Sequence, residues 1–340
     1  MKKRPTQSDV ARLAGVSRAT VSYVLNDTNG KAPVSAETRT RVLEVIEKLG
    51  YQPDTRAQSL RAGDSKTIGL LIPDIHNPHF WQAVEGVENE ARRAGYDVLL
   101  AHSDADLSLE EYCIQAISRR TISGLIVIRT TKALSPKTIK SLLSSGRPVV
   151  EHGVVESQFD CIVSNYGKGT REVMAHLLAH GHRHFCFING VSMPGIGADR
   201  LDVYLQMLEE AGISESERLV ENCGITTEDG YQAALRVLKQ RPRPSALVVI
   251  NDLLAIGVLR AAADLGLHVP KDLSVASFDD LPFSRYLNPR LTSVYRNTRA
   301  EGQQAAKLLF ERLTHPELPT RTVEMPTQLV VRESTGPWRP

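Results

Sequence analysis

Cysteine is scarce in this chain: four in 340 residues, at positions 113, 161, 186 and 223, with no C-x-x-C pair. That spacing excludes a disulfide framework and a structural zinc site and suits reduced thiols in a cytoplasm. No run approaches the roughly 18 consecutive apolar residues that a membrane-spanning helix needs. The basic start MKKRPTQSDV leads into no apolar stretch or cleavage site, so no secretory leader and no membrane partner are expected. Catalytic signatures are missing as well. GIGADR is not G-x-G-x-x-G, no Walker loop occurs, and GVSMP has Pro194 where a nucleophile elbow needs its last glycine. His176, His180, His182 and His184 crowd into one stretch, but no cysteine or carboxylate cluster completes a ligand set. No metal, no cofactor and no enzymatic activity are expected.

What is present begins with an uneven charge. Residues 1–63 hold 11 Lys+Arg and 6 Asp+Glu, whereas the remainder holds 30 and 33. A basic head on an acidic body suits a nucleic-acid-binding head. Within that head, Thr6 is a plausible N-cap with Asp9 three residues on, close to a capping box. Val10, Leu13 and Ala14 give the first helix one apolar face, and Gly15 ends it. Ser17 is the next N-cap, with Val21, Val24 and Leu25 facing inward. Two short helices joined by a turn containing glycine have the spacing of a helix-turn-helix. A third helix begins at Ser35, carries the stripe Val42, Ile46 and Leu49, and stops at Gly50.

The outward face of the second helix is then Arg18, Ala19, Ser22 and Tyr23, with Ser17, Thr20 and Asn26 beside it. In a helix-turn-helix the start of the second helix enters the major groove. Arg18 can fork onto guanine, Ala19 can touch a thymine methyl, and Tyr23 can reach a base edge or a phosphate. Ser17 and Thr20 suit phosphates at a helix N-terminus. Tyr51 is counted with this DNA-facing set. The following segment TRAQSLRAG, Thr55 to Gly63, is too short to be a stable isolated helix and has no face to fix it on a core. A hinge that folds on DNA and wedges Leu60 into the minor groove explains both its length and its single large apolar side chain.

From Thr67 onward, apolar strand-like runs alternate with helix-length segments that close on a glycine. The runs are TIGLLIP, YDVLLAHS, GLIVIR, RPVVEHG, FCFING, ALVVIN and LSVASFD. A glycine stop followed by a β-branched run marks βαβ crossovers, hence parallel sheets with helices on both faces. There are too many runs for one sheet, so two doubly wound lobes are expected. Ligands in such sheets bind beyond the carboxyl ends of the strands. The residues that follow strands there are His76, Asn77, Phe80, Arg129, Asn165, Asn251 and Asp279, joined by Arg200 in the loop-to-helix segment after FCFING. Carboxylate, amide and guanidinium groups around an aromatic platform suit a polyhydroxylated ligand. Two arginines, Arg129 and Arg200, would suit an acidic one such as a sugar acid or sugar phosphate.

The segments DVARLAGVSRATVSYVLN, VSAETRTRVLEVIEKLGYQP and RAQSLRAG, running into TIGLLIPDIHNPHF, resemble the lactose-repressor/galactose-repressor (LacI/GalR) family of bacterial regulators. HLLAHGHRHFCFING, NDLLAIGVLRAA, LSVASFDD and LTSVYRN resemble that family's effector-binding domain, in the family's order. The resemblance implies an all-α helix-turn-helix headpiece (1–53), a hinge helix (54–64), and a two-lobed α/β body of periplasmic-binding-protein type I (65–340). One lobe would take about 65–165 and 296–325, the other about 166–295 and 326–340. It further implies a cytoplasmic homodimeric repressor on double-stranded, pseudo-palindromic operator DNA, switched by a small carbohydrate-like effector. Arg200, Asn251 and Asp279 map onto the family's effector contacts. The chain departs from the family at Ser164, often Asp, at Val203, usually glycine, and at Glu151 and His152, usually apolar. A solute receptor with the same body would need a leader and no head. A sugar-processing enzyme would need the nucleophile or phosphate loop that is missing.

Overall fold

The computed structural model describes residues 5–26, 34–51, 65–104, 106–119, 122–129, 134–153, 157–190 and 198–338. They belong to two compact units, within Met1–Ser65 and Lys66–Pro340. The proposed hinge and Leu60 lie outside the described residues.

The first unit holds α1 (Gln7–Ala14), α2 (Arg18–Asn26) and α3 (Ala36–Leu49). Local chemistry sets both ends of α1 and α3 and the start of α2. Asp9 N donates to Thr6 Oγ1, and Thr6 N donates back to Asp9 Oδ2 at 2.9 Å, a closed capping box. Gly15 ends α1 at φ 65°, a conformation that other residues adopt at a cost. Thr20 N donates to Ser17 Oγ at 3.0 Å and Thr38 N to Ser35 Oγ at 3.3 Å, capping α2 and α3. Among the described residues only Val10, Ala11, Ala14, Val21, Val24 and Val42 are fully inside, with Tyr51 packed at the margin. This is a minimal core, sufficient to hold three helices and leave one face of α2 free.

The second unit contains two six-stranded sheets. The first lobe runs β1 (Thr67–Ile72), α4 (Pro78–Ala94), β2 (Asp97–His102), α5 (Leu107–Ser118), β3 (Gly124–Ile128), α6 (Pro136–Ser144), β4 (Val149–His152) and β5 (Asp160–Ser164). The second runs α7 (Tyr166–Ala179), β6 (Phe185–Asn189), α8 (Ala198–Glu210), β7 (Arg218–Asn222), α9 (Thr227–Leu238), β8 (Ala246–Val249), α10 (Asp252–Asp264), β9 (Ser274–Asp279) and β10 (Thr292–Arg296). The chain then returns to the first lobe for α11 (Thr298–Thr314) and β11 (Thr322–Met325), and to the second for β12 (Thr327–Val330). The orders are β11-β5-β4-β3-β1-β2 and β12-β10-β9-β8-β6-β7, parallel throughout except for β12 on β10.

The central strands are apolar on both sides because helices cover both faces. Along β3, Ile126 and Ile128 join the core under α4 and α11, whereas Leu125 and Val127 join the one under α5 and α6. Each lobe clasps a helix pair through glycines: Gly86 and Gly302 between α4 and α11, Gly230 and Gly257 between α9 and α10. A Cβ at any of these four would strike the partner's backbone. The strands absent from the sequence reading are β7, β10, β11 and β12. Three are edges with one neighbour, whose RLVEN, TVEM and TQLV lack a continuous apolar run; β10 is interior, and its TSVYR mixes polar with apolar residues.

The histidine-rich stretch holds the C-terminal tail. His176 Nε2 meets Thr335 Oγ1 at 2.9 Å, His182 Nε2 meets Gly336 O at 3.1 Å, and Trp338 N donates to His180 O at 2.8 Å. Burial lowers the pKa of both His176 and His182, so both are neutral in the fold. A depressed histidine pKa stabilises the fold above the ordinary value of about 6.5 and loses that contribution as pH falls below it. The melting temperature should therefore drop between about pH 7 and about pH 5.5. His182→Gln, which cannot charge, should flatten that drop in a thermal-denaturation series.

Candidate functional site

In the first unit the second helix presents the expected surface. Ser17, Arg18 and Ala19 are exposed, Tyr23 is 55% exposed, and Thr20 and Ser22 are half-buried. Ser17 and Thr20 also bond to each other through their hydroxyls at 2.9 Å, closing the first turn. Tyr51 lies against the small core rather than apart from it. The Asn26 backbone closes α2; its side chain is outside what is described.

In the second unit the chemistry collects where the chain passes between the lobes, at the carboxyl ends of the strands. Asn165 ends β5 and caps α7: Lys168 N donates to its Oδ1 at 2.9 Å, and its Nδ2 donates to Glu324 at 2.6 Å. Its backbone is tied to the third passage, with Asn165 N donating to Met325 O and Thr327 Oγ1 donating to Asn165 O. Arg296 ends β10, opposite Thr327, and donates to the Tyr166 hydroxyl and to Glu301 Oε2 at 2.6 Å. Glu301, in the first turn of α11 and wholly buried, also takes His152 Nε2 at 3.0 Å and Ser164 Oγ at 2.7 Å. Burial works against its charge, but Arg296, His152 and Ser164 hold its carboxyl far below the usual range. Burial pushes the Tyr166 hydroxyl up to about 12, so it stays protonated.

Around this hub stand three of the sequence-predicted residues. Asp279 ends β9 at φ 102° and is 6% exposed. Arg200, in the first turn of α8, lies 4.0 Å over the Tyr166 ring and 5.5 Å over that of Phe278, with Nη1 donating to Ile250 O at 3.0 Å. Phe80 packs at its edge through His79, ring centroids 5.2 Å apart. Asn251 caps α10, accepting from Leu254 N at 2.9 Å. Asn77 caps α4, accepting from His79 N at 3.0 Å. His76 is exposed, and the buried histidine is His79. Its Nδ1 is 3.5 Å from Asp279 across the lobes, too long for a hydrogen bond. Burial, then the charge of Arg296, pushes its pKa well down, so it is neutral and the pair is not ionic. His79, His152, Arg200 and Arg296 are each buried, and each keeps one nitrogen without a partner.

Arg129 is not brought to this group. The alternation along β3 sends it to the face covered by α5 and α6. There it donates to Glu110 and to Glu151, each at 3.0 Å. The family-atypical pair Glu151–His152 thus splits, one side chain to each face of the sheet, each meeting an oppositely charged or hydrogen-bonding partner. The residues missed by sequence reasoning are His79, His152, Ser164, Tyr166, Arg296 and Glu301. Applying the strand-end rule to LTSVYRN as well would have found Arg296.

Asp252 fixes the loop that carries Asp279. Wholly buried, it accepts from Ser277, Ser284 and Ser293 hydroxyls and from Leu281 N at 2.7 Å. Burial and the nearby Asp279 push its carboxyl up to about 7.

Residues 6–54 match the family model "Bacterial regulatory proteins, lacI family", and residues 174–335 match a "Periplasmic binding protein-like domain". Over 336 residues the chain is 33% identical to the HTH-type transcriptional repressor PurR of Proteus mirabilis (strain HI4320), covering 97% of each. It superposes on the lac repressor dimer bound to operator and the anti-inducer ONPF with a TM-score of 0.85 and 26% identity, over 98% of this chain and 100% of that one. A transcriptional regulator CelR–cellobiose complex gives 0.71 and 28%, over 97% and 100%. A helix-turn-helix headpiece followed by this two-sheet body defines a DNA-binding transcriptional repressor, not an enzyme. The chain belongs to the LacI family.

Two variants test the hub and its support. Glu301→Gln leaves the buried Arg296 without a countercharge and should cost about 3–5 kcal/mol in urea unfolding, much of it recovered in Arg296→Met/Glu301→Leu. Asp252→Asn sets an amide against Leu281 N–H or a hydroxyl and should cost about 1–3 kcal/mol, read as a lower urea midpoint.

Proposed function

We propose that the protein is a homodimer that represses transcription by reading a pseudo-palindromic operator and is switched by a small metabolite held between its lobes. Residues 1–53 would read each half-site, 54–64 would form the hinge with Leu60 as the minor-groove wedge, and 65–340 would bind effector and partner. Arg18, Ala19, Ser22, Tyr23 and Asn26 would meet base edges, and Ser17, Thr20 and Tyr51 the backbone. The cell compartment in which it would act is the cytoplasm, where the operator is.

The observation that carries the effector site is the set of buried, unpartnered nitrogens on His79, His152, Arg200 and Arg296 around Asp279. Buried polar groups in folded proteins are nearly always paired. A polyhydroxylated ligand satisfies several at once, and the relative solved with cellobiose supports a carbohydrate-like class. Of the sequence-predicted contacts, Arg200, Asp279 and Phe80 would form this site. Asn251, Asn77 and Asn165 would shape it from their caps, His76 would border it, and Arg129 would brace the lobe.

Repression needs the two lobes to hold two hinge segments close, so a ligand that prefers one lobe arrangement changes operator affinity. Arg18→Ala should relax preference at one base of each half-site by about 1–3 kcal/mol in anisotropy titrations on a mutated operator series. An equal loss on every sequence would assign Arg18 to phosphate. Leu60→Ala should weaken operator binding with the melting temperature unchanged, and unaltered affinity would remove the wedge.

A further inference from the structure

Among the described residues of the second unit Arg129, Arg200 and Arg296 are buried and the side chains of Arg312 and Arg332 nearly so; all but Arg200 meet a carboxylate. Arg129 has Glu110 and Glu151, Arg296 has Glu301, Arg312 has Asp160 in a two-point contact, and Arg332 has Asp280. Arg200 is the exception. It is 8% exposed, its guanidinium touches the Ile250 carbonyl and the faces of Tyr166 and Phe278, and its Nε has no partner. Among the described residues no carboxylate lies within ion-pair distance of it.

A buried cation without a countercharge is costly, and aromatic faces compensate it only in part. The two acids nearby do not close the gap. Glu301 is saturated, one oxygen taking Ser164 and the other Arg296 and His152. Asp279 feels Arg200 only at a distance and sits beside a neutral histidine. Arg200 is therefore left with no carboxylate in contact, in the midst of unpartnered nitrogens on His79, His152 and Arg296.

Resting on the reading of this cluster as the effector site, we infer that the effector is a small hydroxy-carboxylate of the sugar-acid class, its carboxylate supplying the countercharge that Arg200 lacks. A single guanidinium matches the single charge of a carboxylate; a phosphate ester brings a second charge toward Asp279 with no further free cation among the described residues of the cluster. The hydroxyls of the same ligand satisfy the nitrogens of His79, His152 and Arg296 and donate to Asp279. Tyr166 and Phe278 keep the guanidinium in place by packing on it, so the charge is already positioned when the ligand arrives.

The test uses the full-length protein in calorimetric titration and thermal shift with D-gluconate and D-galacturonate, against D-glucose, D-galactose, glucose 6-phosphate and a neutral nucleobase. At least one acid should bind about tenfold or more tighter than its neutral counterpart. Arg200→Met should lose that preference while its ligand-free melting temperature stays level or rises, because an uncompensated charge has been removed. Arg200→Lys should keep part of the preference. Binding of a neutral sugar or nucleobase with equal or higher affinity than the acids would overturn the inference and leave the effector site standing. So would binding of the phosphate ester alone. A clear fall in the ligand-free melting temperature of Arg200→Met, with no acid preference in the wild type, would show Arg200 to be compensated already and would also overturn it. Failure of every small molecule, including a metabolite extract, to shift the wild type would remove the effector site itself.

Discussion

The Arg296–Glu301 ion pair is the contact on which the second unit turns. It lies where the chain crosses from β10 to α11, and it draws in the other crossings: Tyr166 after β5, and Thr327, paired with Arg296, after β11. A two-lobed body needs such a junction to be stiff in composition but able to settle in more than one arrangement. A buried pair with every oxygen occupied meets the first demand, because losing either partner strands the other. His152 and Ser164 meet the same carboxylate, one at each of its oxygens.

From that junction the rest of the site follows by short steps. Tyr166 is held by Arg296 and in turn carries Arg200 on its ring; Phe278 flanks both and ends in Asp279. Asp252, under its three serines, keeps the turn after β9 in the left-handed conformation that Asp279 and Asp280 adopt. Across the lobes His79 comes within 3.5 Å of Asp279 without bonding to it. A ligand that enters here meets groups from both lobes at once. In the proposed function its binding energy would also favour one lobe arrangement over another, which is the requirement for coupling to DNA binding.

How much of this was legible from the chain depends on how local each cause is. The headpiece was readable almost to the residue because Thr6, Gly15, Ser17, Ser35 and Gly50 each act within one turn. Most central strands were readable because burial on both faces leaves an unbroken apolar run; the edges β7, β11 and β12, and the interior β10 with its mixed TSVYR, carry no such mark. In the interlobe cluster, the places of Asp279 at the end of β9 and of Arg200 in the loop-to-helix segment after β6 were legible from the strand pattern. The choice of His79 over His76 depends on helix register, set by Asn77 capping and Pro78 at the first position of α4. Arg129 sits at a strand end too, but one residue of alternation sends it to the opposite face. Glu301 and His152 are 149 residues apart, and neither discloses the other until the sheet is assembled.

The decisive measurement is operator affinity of the full-length protein, by anisotropy at fixed salt, with and without a metabolite that calorimetry shows to bind. A ligand that contacts both lobes should change operator affinity by about five- to 150-fold, and an Arg200 or Asp279 substitution should abolish the change while leaving ligand-free operator binding intact. A ligand bound at Arg200 and Asp279 with operator affinity unmoved would contradict the coupling, and would leave the cluster as a binding site with no link to transcription.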